Sequence, residues 1–358
     1  MQTRSDVLII GGGAIGMATA LELALRGVSV AILSRNSQEA ALHAAAGMLA
    51  PQAEGLLPGP MLELCLRSRS LYPEWIDKLE SLTGMNSEYW PCGIIAPLYR
   101  DAELLRGTEE AAQWCDRPSL DILQPELSDE VAGGWWFPED GQVDNQAMAR
   151  ALRAAVAQCG IAVREGVAVD RVARDGNKVT GVCAGNEWYR ADCYLLAAGA
   201  WSGELLPIPV VPRKGQLLAV RSKTGRQPLQ HVLFGSEVYL VPRHNGRIVV
   251  GATSEDVGFT PHNTPAGVQQ LLTAAIRLYP LLEDWILEQY WWGFRPATPD
   301  ELPILGASPY SNLVLATGHY RNGILLTPIT AALLADLICQ QRIDPILNAF
   351  RYSRFTEA

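Results

Sequence analysis

The sequence predicts an α/β fold in which a doubly wound, parallel-stranded lobe is interleaved with a second lobe rich in antiparallel strands. Three observations carry this. The apolar run Val7-Leu8-Ile9-Ile10 leads into glycines spaced G-x-G-x-x-G, at Gly11, Gly13 and Gly16, and then into a helical stretch over residues 17–26 that stops at Gly27. The run Val28-Ser29-Val30-Ala31-Ile32-Leu33 completes a strand–helix–strand unit. Downstream, residues 208–252 are dominated by strand patterns, with Asn245-Gly246 as a two-residue hairpin signal between residues 238–243 and 247–251. At 358 residues the chain is long enough for two lobes with a core each.

The opening run does not alternate, which is the pattern of a strand buried on both faces. Gly11 permits a tight turn, Gly13 lets the backbone approach a pyrophosphate, and Gly16 lets the helix pack close to the strand. The free amides of the helix N-terminus then face phosphate. Set between a strand and a helix, the motif predicts a Rossmann-like dinucleotide site. Which dinucleotide stays open at this point. The second strand usually ends in Asp or Glu for the ribose hydroxyls, and this chain has Ser34-Arg35. That pair suits the ribose phosphate of NADP, or an FAD site with Ser34 on the ribose and Arg35 over adenine.

The remaining elements follow from period and punctuation. Residues 36–60, rich in Ala, Gly and Pro, read as loop around a short helix, and 61–83 are helical in period. Residues 88–140 read as irregular, with Trp135-Trp136-Phe137 as a paired aromatic feature. A helix over 145–159 ends at Gly160. Strands are predicted at 161–163, 167–172, 179–182, 194–197 and 313–316, and a helix over 268–288. Thr327-Pro328 opens the final helix as a cap followed by proline.

Composition narrows the partners. The net charge of −9, from 38 acidic and 29 basic residues, argues against nucleic acid or an anionic membrane. Seven cysteines lack any C-x-x-C spacing, so neither a metal site nor a disulfide framework is expected. No apolar segment has the length of a membrane span or a signal peptide, and a cytoplasmic protein is expected.

Two further signatures lie far from the first. Tyr194-Leu195-Leu196-Ala197-Ala198-Gly199-Ala200-Trp201 is an apolar strand running into a small-residue turn, as a backbone passing close to a cofactor requires. Gly318-His319-Tyr320-Arg321-Asn322-Gly323-Ile324 is a glycine-bracketed loop before the final helix, whose N-terminus suits negative charge. Arg295 follows the aromatic run Tyr290-Trp291-Trp292-Gly293-Phe294, and a buried arginine needs an anion. That anion is either a substrate carboxylate or a neighbouring acid such as Asp300 or Glu301.

With Ala44-Ala45-Ala46-Gly47-Met48-Leu49, Tyr239-Leu240-Val241-Pro242-Arg243, Val249-Val250-Gly251-Ala252-Thr253 and Trp292-Gly293-Phe294-Arg295-Pro296, these signatures make nearly the whole chain resemble the D-amino-acid oxidase superfamily of flavoproteins. Within it the resemblance is to the glycine-oxidising members tied to thiamine biosynthesis. Ser34 departs from the acid usual there.

The resemblance implies FAD contacts at Ala14, Ile15, Ser34, Arg35, Ala41, Leu42, Ala46, Gly47 and Met48, at Val169 and Gly199, and along His319, Tyr320, Arg321, Asn322, Gly323, Ile324 and Leu325. The flavin is expected to be non-covalent, because His43 is one residue too far from Gly47 for the covalent pattern, and to be a loop histidine with no special role. Arg295 and Tyr239 are implied to bind a substrate carboxylate, with Arg321 beside the substrate and the flavin. The implied fold is a Rossmann-like FAD-binding domain (1–84, 141–207 and 293–358) interleaved with an antiparallel-sheet substrate domain (85–140 and 208–292). The implied reaction oxidises glycine, sarcosine or D-alanine by hydride transfer to flavin. It yields the imine or glyoxylate, ammonia and, from oxygen, hydrogen peroxide. A thiazole synthase partner and a homotetramer are also implied. The alternatives are a sarcosine oxidase, a D-amino-acid dehydrogenase, an NADP-dependent reductase and a non-catalytic dinucleotide-binding regulator.

Overall fold

The computed structural model describes residues 5–100, 112–226 and 228–356. Ser5–Ile10 runs through the middle of a six-stranded sheet in the order Ile304–Ala307, Leu313–Thr317, Ala191–Leu196, Ser5–Ile10, Val30–Ser34, Ala162–Glu165. All neighbours are parallel except the outermost Ile304–Ala307. Alternate residues of the first strand enter different cores. Val7 and Ile9 pack with the helices Ala14–Leu25, Pro60–Thr83, Asn145–Gln158 and Thr327–Gln340. Leu8 and Ile10 pack with a small antiparallel sheet of Arg171–Asp175, Lys178–Ala184 and Glu187–Tyr189. Burial on both sides explains the unbroken apolar run.

The second sheet has eight strands, in the order Ile286–Ala297, Val211–Arg221, Arg247–Gly251, Tyr239–Pro242, Val232–Phe234, Ile94–Tyr99, Val131–Phe137, Gln113–Asp116. It is antiparallel except where Val232–Phe234 meets Ile94–Tyr99. One face carries Leu218, Val220, Leu240 and Val250 against the helix Pro265–Leu278. The other carries Leu217, Tyr239, Val241 and Val249, with Ala46 and Ala50 from the first lobe. Period-two alternation thus turns Tyr239 away from the helix-covered face. The strand Ile286–Ala297 runs unbroken through position 293.

Several sequence expectations need correction. Residues 88–140 hold strands Tyr89–Trp90, Ile94–Tyr99, Gln113–Asp116 and Val131–Phe137 and the helix Arg117–Leu123. Their Gly and Pro content hides pairings made between distant strands; Trp135 opposes Ala96 and Trp136 opposes Ile95. The helix expected to reach 288 stops at Leu278, a 3₁₀ turn spans Pro280–Asp284, and Ile286 already belongs to a strand. Residues 167–170 are not a strand; Val167 N–H donates to the Ser34 carbonyl (2.9 Å). The loop at Asn245-Gly246 spans four residues, closed by Arg243 N–H to the Arg247 carbonyl (2.8 Å). Thr327 does not cap the last helix. It is the first helical residue, and its hydroxyl donates back to the Gly323 carbonyl (2.8 Å). His43 lies on the short helix Ala41–Ala44 rather than in a loop.

Candidate active site

A cavity of about 430 Å³ runs between the two large sheets. One end is made of backbone. Gly11 sits at φ +121°, and a Cβ there would lie 2.2 Å from the Ala197 carbonyl oxygen. A Cβ on Gly12 would lie 2.8 Å from the Ser34 hydroxyl. Gly16 does not line the cavity; a Cβ on it would meet the Gly11 carbonyl oxygen at 2.0 Å, so its bareness sets the packing of the turn. The helix Ala14–Leu25 has neither a side-chain cap nor an acid in its first turn, which leaves its first amides free for an anion. Ser34 and Arg35 also line this end. The Arg35 guanidinium is 2.5 Å from Glu39 and lies 4.0 Å over the Trp201 ring, so its charge is already partnered.

The middle wall is formed by Ala41 and Leu42, by Ala46, Gly47 and Met48, by Val169, and by Gly199. Gly47 has φ +81° and admits no side chain, because a Cβ would stand 2.0 Å from the Val143 carbonyl oxygen. His43 is outside this wall. Its Nε2 is 3.1 Å from the Arg153 guanidinium, which can only donate, so Nε2 accepts and Nδ1–H donates to Gln146 Oε1 (3.2 Å). Burial lowers the His43 pKa, which agrees with a neutral ring.

The loop before the last helix contributes His319, Tyr320, Arg321, Gly323 and Ile324 to the cavity. Asn322 and Leu325, the other two residues expected here, are buried and do not line it. Asn322 instead holds the loop, donating to the His319 carbonyl (2.9 Å) and accepting from Leu326 N–H (2.8 Å). Ser68 and Tyr72 on the helix Pro60–Thr83 donate to the Leu325 and Ile324 carbonyls, both at 2.5 Å. Burial drives the His319 pKa down to about 3, so this ring is neutral at pH 7.

The far end is made of side chains. Arg295 and Tyr239 stand over glycines of neighbouring strands: a Cβ on Gly215 would meet Arg295 Nη1 at 2.5 Å, and one on Gly251 would meet the Tyr239 hydroxyl at 2.5 Å. Arg295 Nη1 donates to the Thr253 carbonyl (3.1 Å), and among the described residues the guanidinium has no carboxylate within ion-pair distance. Asp300, one of the two neighbouring acids that could have paired with it, is engaged by Arg354 at 2.7 Å. Burial pushes the Tyr239 hydroxyl up to about 12, so it remains a donor.

Glu54 also lines this end and was missed in the sequence. Burial pushes its carboxyl up to about 7, opposed by the charges of Arg321 and Arg295 and reinforced by Asp140. Asp140 fixes the turn that carries it, accepting from Gln52 N–H (3.2 Å) and Ala53 N–H (2.8 Å) and pairing with Arg69 at 2.5 Å. The available signal was isolation, since Glu54 is the one Asp or Glu between Glu39 and Glu63.

Residues 6–337 match the family described as FAD dependent oxidoreductase, DAO. The chain belongs to this family. It is 56% identical over 357 residues to the bifunctional protein ThiO/ThiG of Nostoc sp., covering 98% of this chain and 55% of that protein. It therefore spans about half the length of the curated relatives of that type. It is 36% identical over 375 residues to a glycine oxidase of Geobacillus kaustophilus, covering 99% of this chain and 98% of that one. The crystal structure of glycine oxidase from the same organism superimposes with a TM-score of 0.91 at 34% identity, covering 98% of this chain and 99% of that one. As a member of the FAD-dependent family, the chain has a cavity whose chemistry fits the cofactor. The glycine turn and uncapped helix suit a diphosphate, and Arg35 is already paired with Glu39 and stacked on Trp201. Among the described residues no helix is long and apolar enough to cross a membrane.

Proposed function

We propose that this chain is an FAD-dependent oxidase of glycine and other small amino acids, with sarcosine and D-alanine as further substrates. FAD is held without a covalent bond by the lobe of residues 1–84, 141–207 and 293–358. The second lobe, of residues 85–140 and 208–292, is the substrate domain and meets the substrate through Tyr239, together with Arg295, Arg321 and Glu54 from the first lobe. The observation that carries this reading is Arg295: a guanidinium in a cavity wall, beside the Tyr239 hydroxyl, with no carboxylate partner among the described residues.

The side chains at this end complement an amino-acid zwitterion. The Arg295 fork takes the carboxylate in a fixed orientation, and Tyr239 adds one donor. Arg295, Arg321 and the buried Glu54 line the end, and Glu54 supplies the counter-charge for the ammonium, with Arg321 beside the α-carbon. The ammonium loses a proton to water before reaction, so the amine is used as the free base, and holding the carboxylate and that amine fixes where the α-C–H points. When bound, FAD supplies the oxidising power, taking a hydride equivalent from the α-carbon and passing the electrons to oxygen as hydrogen peroxide. The imine formed from glycine hydrolyses to glyoxylate and ammonia, or passes to a thiazole synthase in thiamine biosynthesis. The likeness to bifunctional ThiO/ThiG proteins supports that partner. A homotetramer is proposed from the family resemblance.

The test is peroxide formation by the purified yellow protein with glycine, sarcosine and D-alanine. Turnover of at least one of them with equimolar peroxide is expected. A yellow protein that turns over none of them would refute the reading.

A further inference from the structure

The end of the second strand poses a chemical problem. A dinucleotide site usually places Asp or Glu there to take the ribose hydroxyls, because a carboxylate accepts two hydrogen bonds and carries charge. Here the position is Ser34, a neutral hydroxyl. It is 2% exposed and lines the cavity.

The register of the sheet places an acid beside it. Val30–Ser34 pairs in parallel with Ala162–Glu165, and Ser34 and Glu165 are register partners at the ends of their strands. Glu165 Oε1 accepts from Ser37 N–H at 2.5 Å. Partial burial pushes the Glu165 carboxyl up, but the hydrogen bond from the Ser37 amide and the nearby Ser37 and Ser34 hydroxyls and Arg153 outweigh this and hold it below the usual glutamate range. Glu165 is therefore ionised at pH 7; it is exposed, stands outside the cavity lining, and lies directly across the strand pair from Ser34. Arg35, the nearest cation in sequence, is engaged by Glu39 and Trp201.

We propose that Glu165 is the acid of the adenosine ribose subsite, acting from the adjacent strand through Ser34. The Ser34 hydroxyl donates to Glu165, which turns its lone pairs toward the cavity to accept from a ribose hydroxyl. Gly12 holds this arrangement, because a side chain there would meet the Ser34 hydroxyl at 2.8 Å. The negative charge strengthens Ser34 as an acceptor. It also opposes a phosphate on the ribose, which excludes NADP by repulsion. Glu165 is thus a positioning residue. This inference rests on the reading that the adenosine of FAD lies at Ser34.

A purely structural role for Glu165 would be to cap the 3₁₀ turn Ser37–Glu39. That turn already has a cap, since the Asn36 side chain accepts from Gln38 N–H at 3.0 Å.

The two roles separate on a ribose-specific readout. The full chain, stripped of flavin, is titrated with FAD and with its 2′-deoxyadenosine analogue, and binding is followed by flavin fluorescence. The wild type is expected to prefer FAD by about tenfold, the size of one hydrogen bond to a charge-backed acceptor. In Glu165→Gln that preference should fall to about twofold, and Ser34→Ala should lose it in the same way with Glu165 in place. Adding Ser34→Glu to Glu165→Gln should restore the preference. Equal weakening of both ligands by Glu165→Gln, or an unchanged preference, would overturn the proposal in favour of a capping role. Should Glu165→Gln fail to fold, an unchanged preference in Ser34→Ala overturns it. A wild type that binds neither ligand would instead refute the cofactor reading beneath it.

Discussion

The two ends of the cavity are built by opposite means. The nucleotide end is mainly backbone: Gly11 and Gly47 occupy positive-φ positions where a Cβ would overlap a carbonyl, and the first amides of a helix are left uncapped. The substrate end is side chains brought from separate strands, with Tyr239 on one, Arg295 on another and Glu54 on a turn. Glycine serves both ends differently. At Gly11 it frees the backbone itself, whereas at Gly215 and Gly251 it clears room for the side chain of a neighbour. A backbone site tolerates almost no change but carries little chemical choice. A side-chain site can be altered one group at a time, and each change should read out in substrate handling rather than in cofactor retention.

Gly11→Ala should break that comparison most severely. Its Cβ would overlap the Ala197 carbonyl oxygen at 2.2 Å with φ at +121°. Strain and overlap together should cost about 3 kcal/mol or more. Thermal unfolding and FAD titration should show both a lower midpoint and loss of cofactor.

Arg295→Ala should do the reverse, keeping the flavin and losing the substrate. Removing a bidentate charge-assisted contact from a partly desolvated site costs on the order of 3 kcal/mol, or roughly a hundredfold in kcat/KM. Arg295→Lys should recover part of it, and Tyr239→Phe should cost less, on the order of 1.5–3 kcal/mol. Near-wild-type kcat/KM in a yellow Arg295→Ala protein would remove Arg295 from the site.

Glu54 sharpens the comparison through pH. With its carboxyl raised to about 7, it is neutral below that value and charged above it. KM for glycine should therefore rise as pH falls from 8 to 6, by a few-fold. Glu54→Gln should hold KM at the high value and flatten that limb. The flavin-free protein should move the other way. The native carboxyl binds its proton more tightly than the unfolded one, so stability falls as pH rises from about 4.5 toward 7. Glu54→Gln should remove that slope. A wild-type KM flat across this range would exclude Glu54 as the ammonium partner.

His43→Ala should have the smallest effect. The ring is tied to Gln146 and Arg153, outside the cavity wall, so its loss should cost about 1 kcal/mol of stability and no flavin. Acid precipitation of wild type and variant alike should release all the yellow colour. Flavin retained on the wild-type precipitate but not on the variant would make His43 a covalent anchor.

Local pattern was enough where a site is made of consecutive residues. The unbroken run from Val7 to Ile10 and the spacing of Gly11, Gly13 and Gly16 specify a buried strand, a turn and a helix, because backbone sterics act within a few residues. The loop from His319 to Ile324 was legible for the same reason. Residues 88–140 were not, since strands such as Val131–Phe137 exist only by pairing with partners whose register no local pattern encodes. The same limit hid Glu54 and Glu165. One is a lone acid in an apolar stretch, and the other reaches Ser34 across a strand pair separated by about 130 residues of chain. It also left Ser34-Arg35 ambiguous, until Glu39 and Trp201 were seen to hold Arg35. Sequence determined the strand–turn–helix unit and the types of residue available for chemistry. Tertiary structure decided which of them meet, because burial, pairing and charge compensation depend on distances that only the folded chain sets.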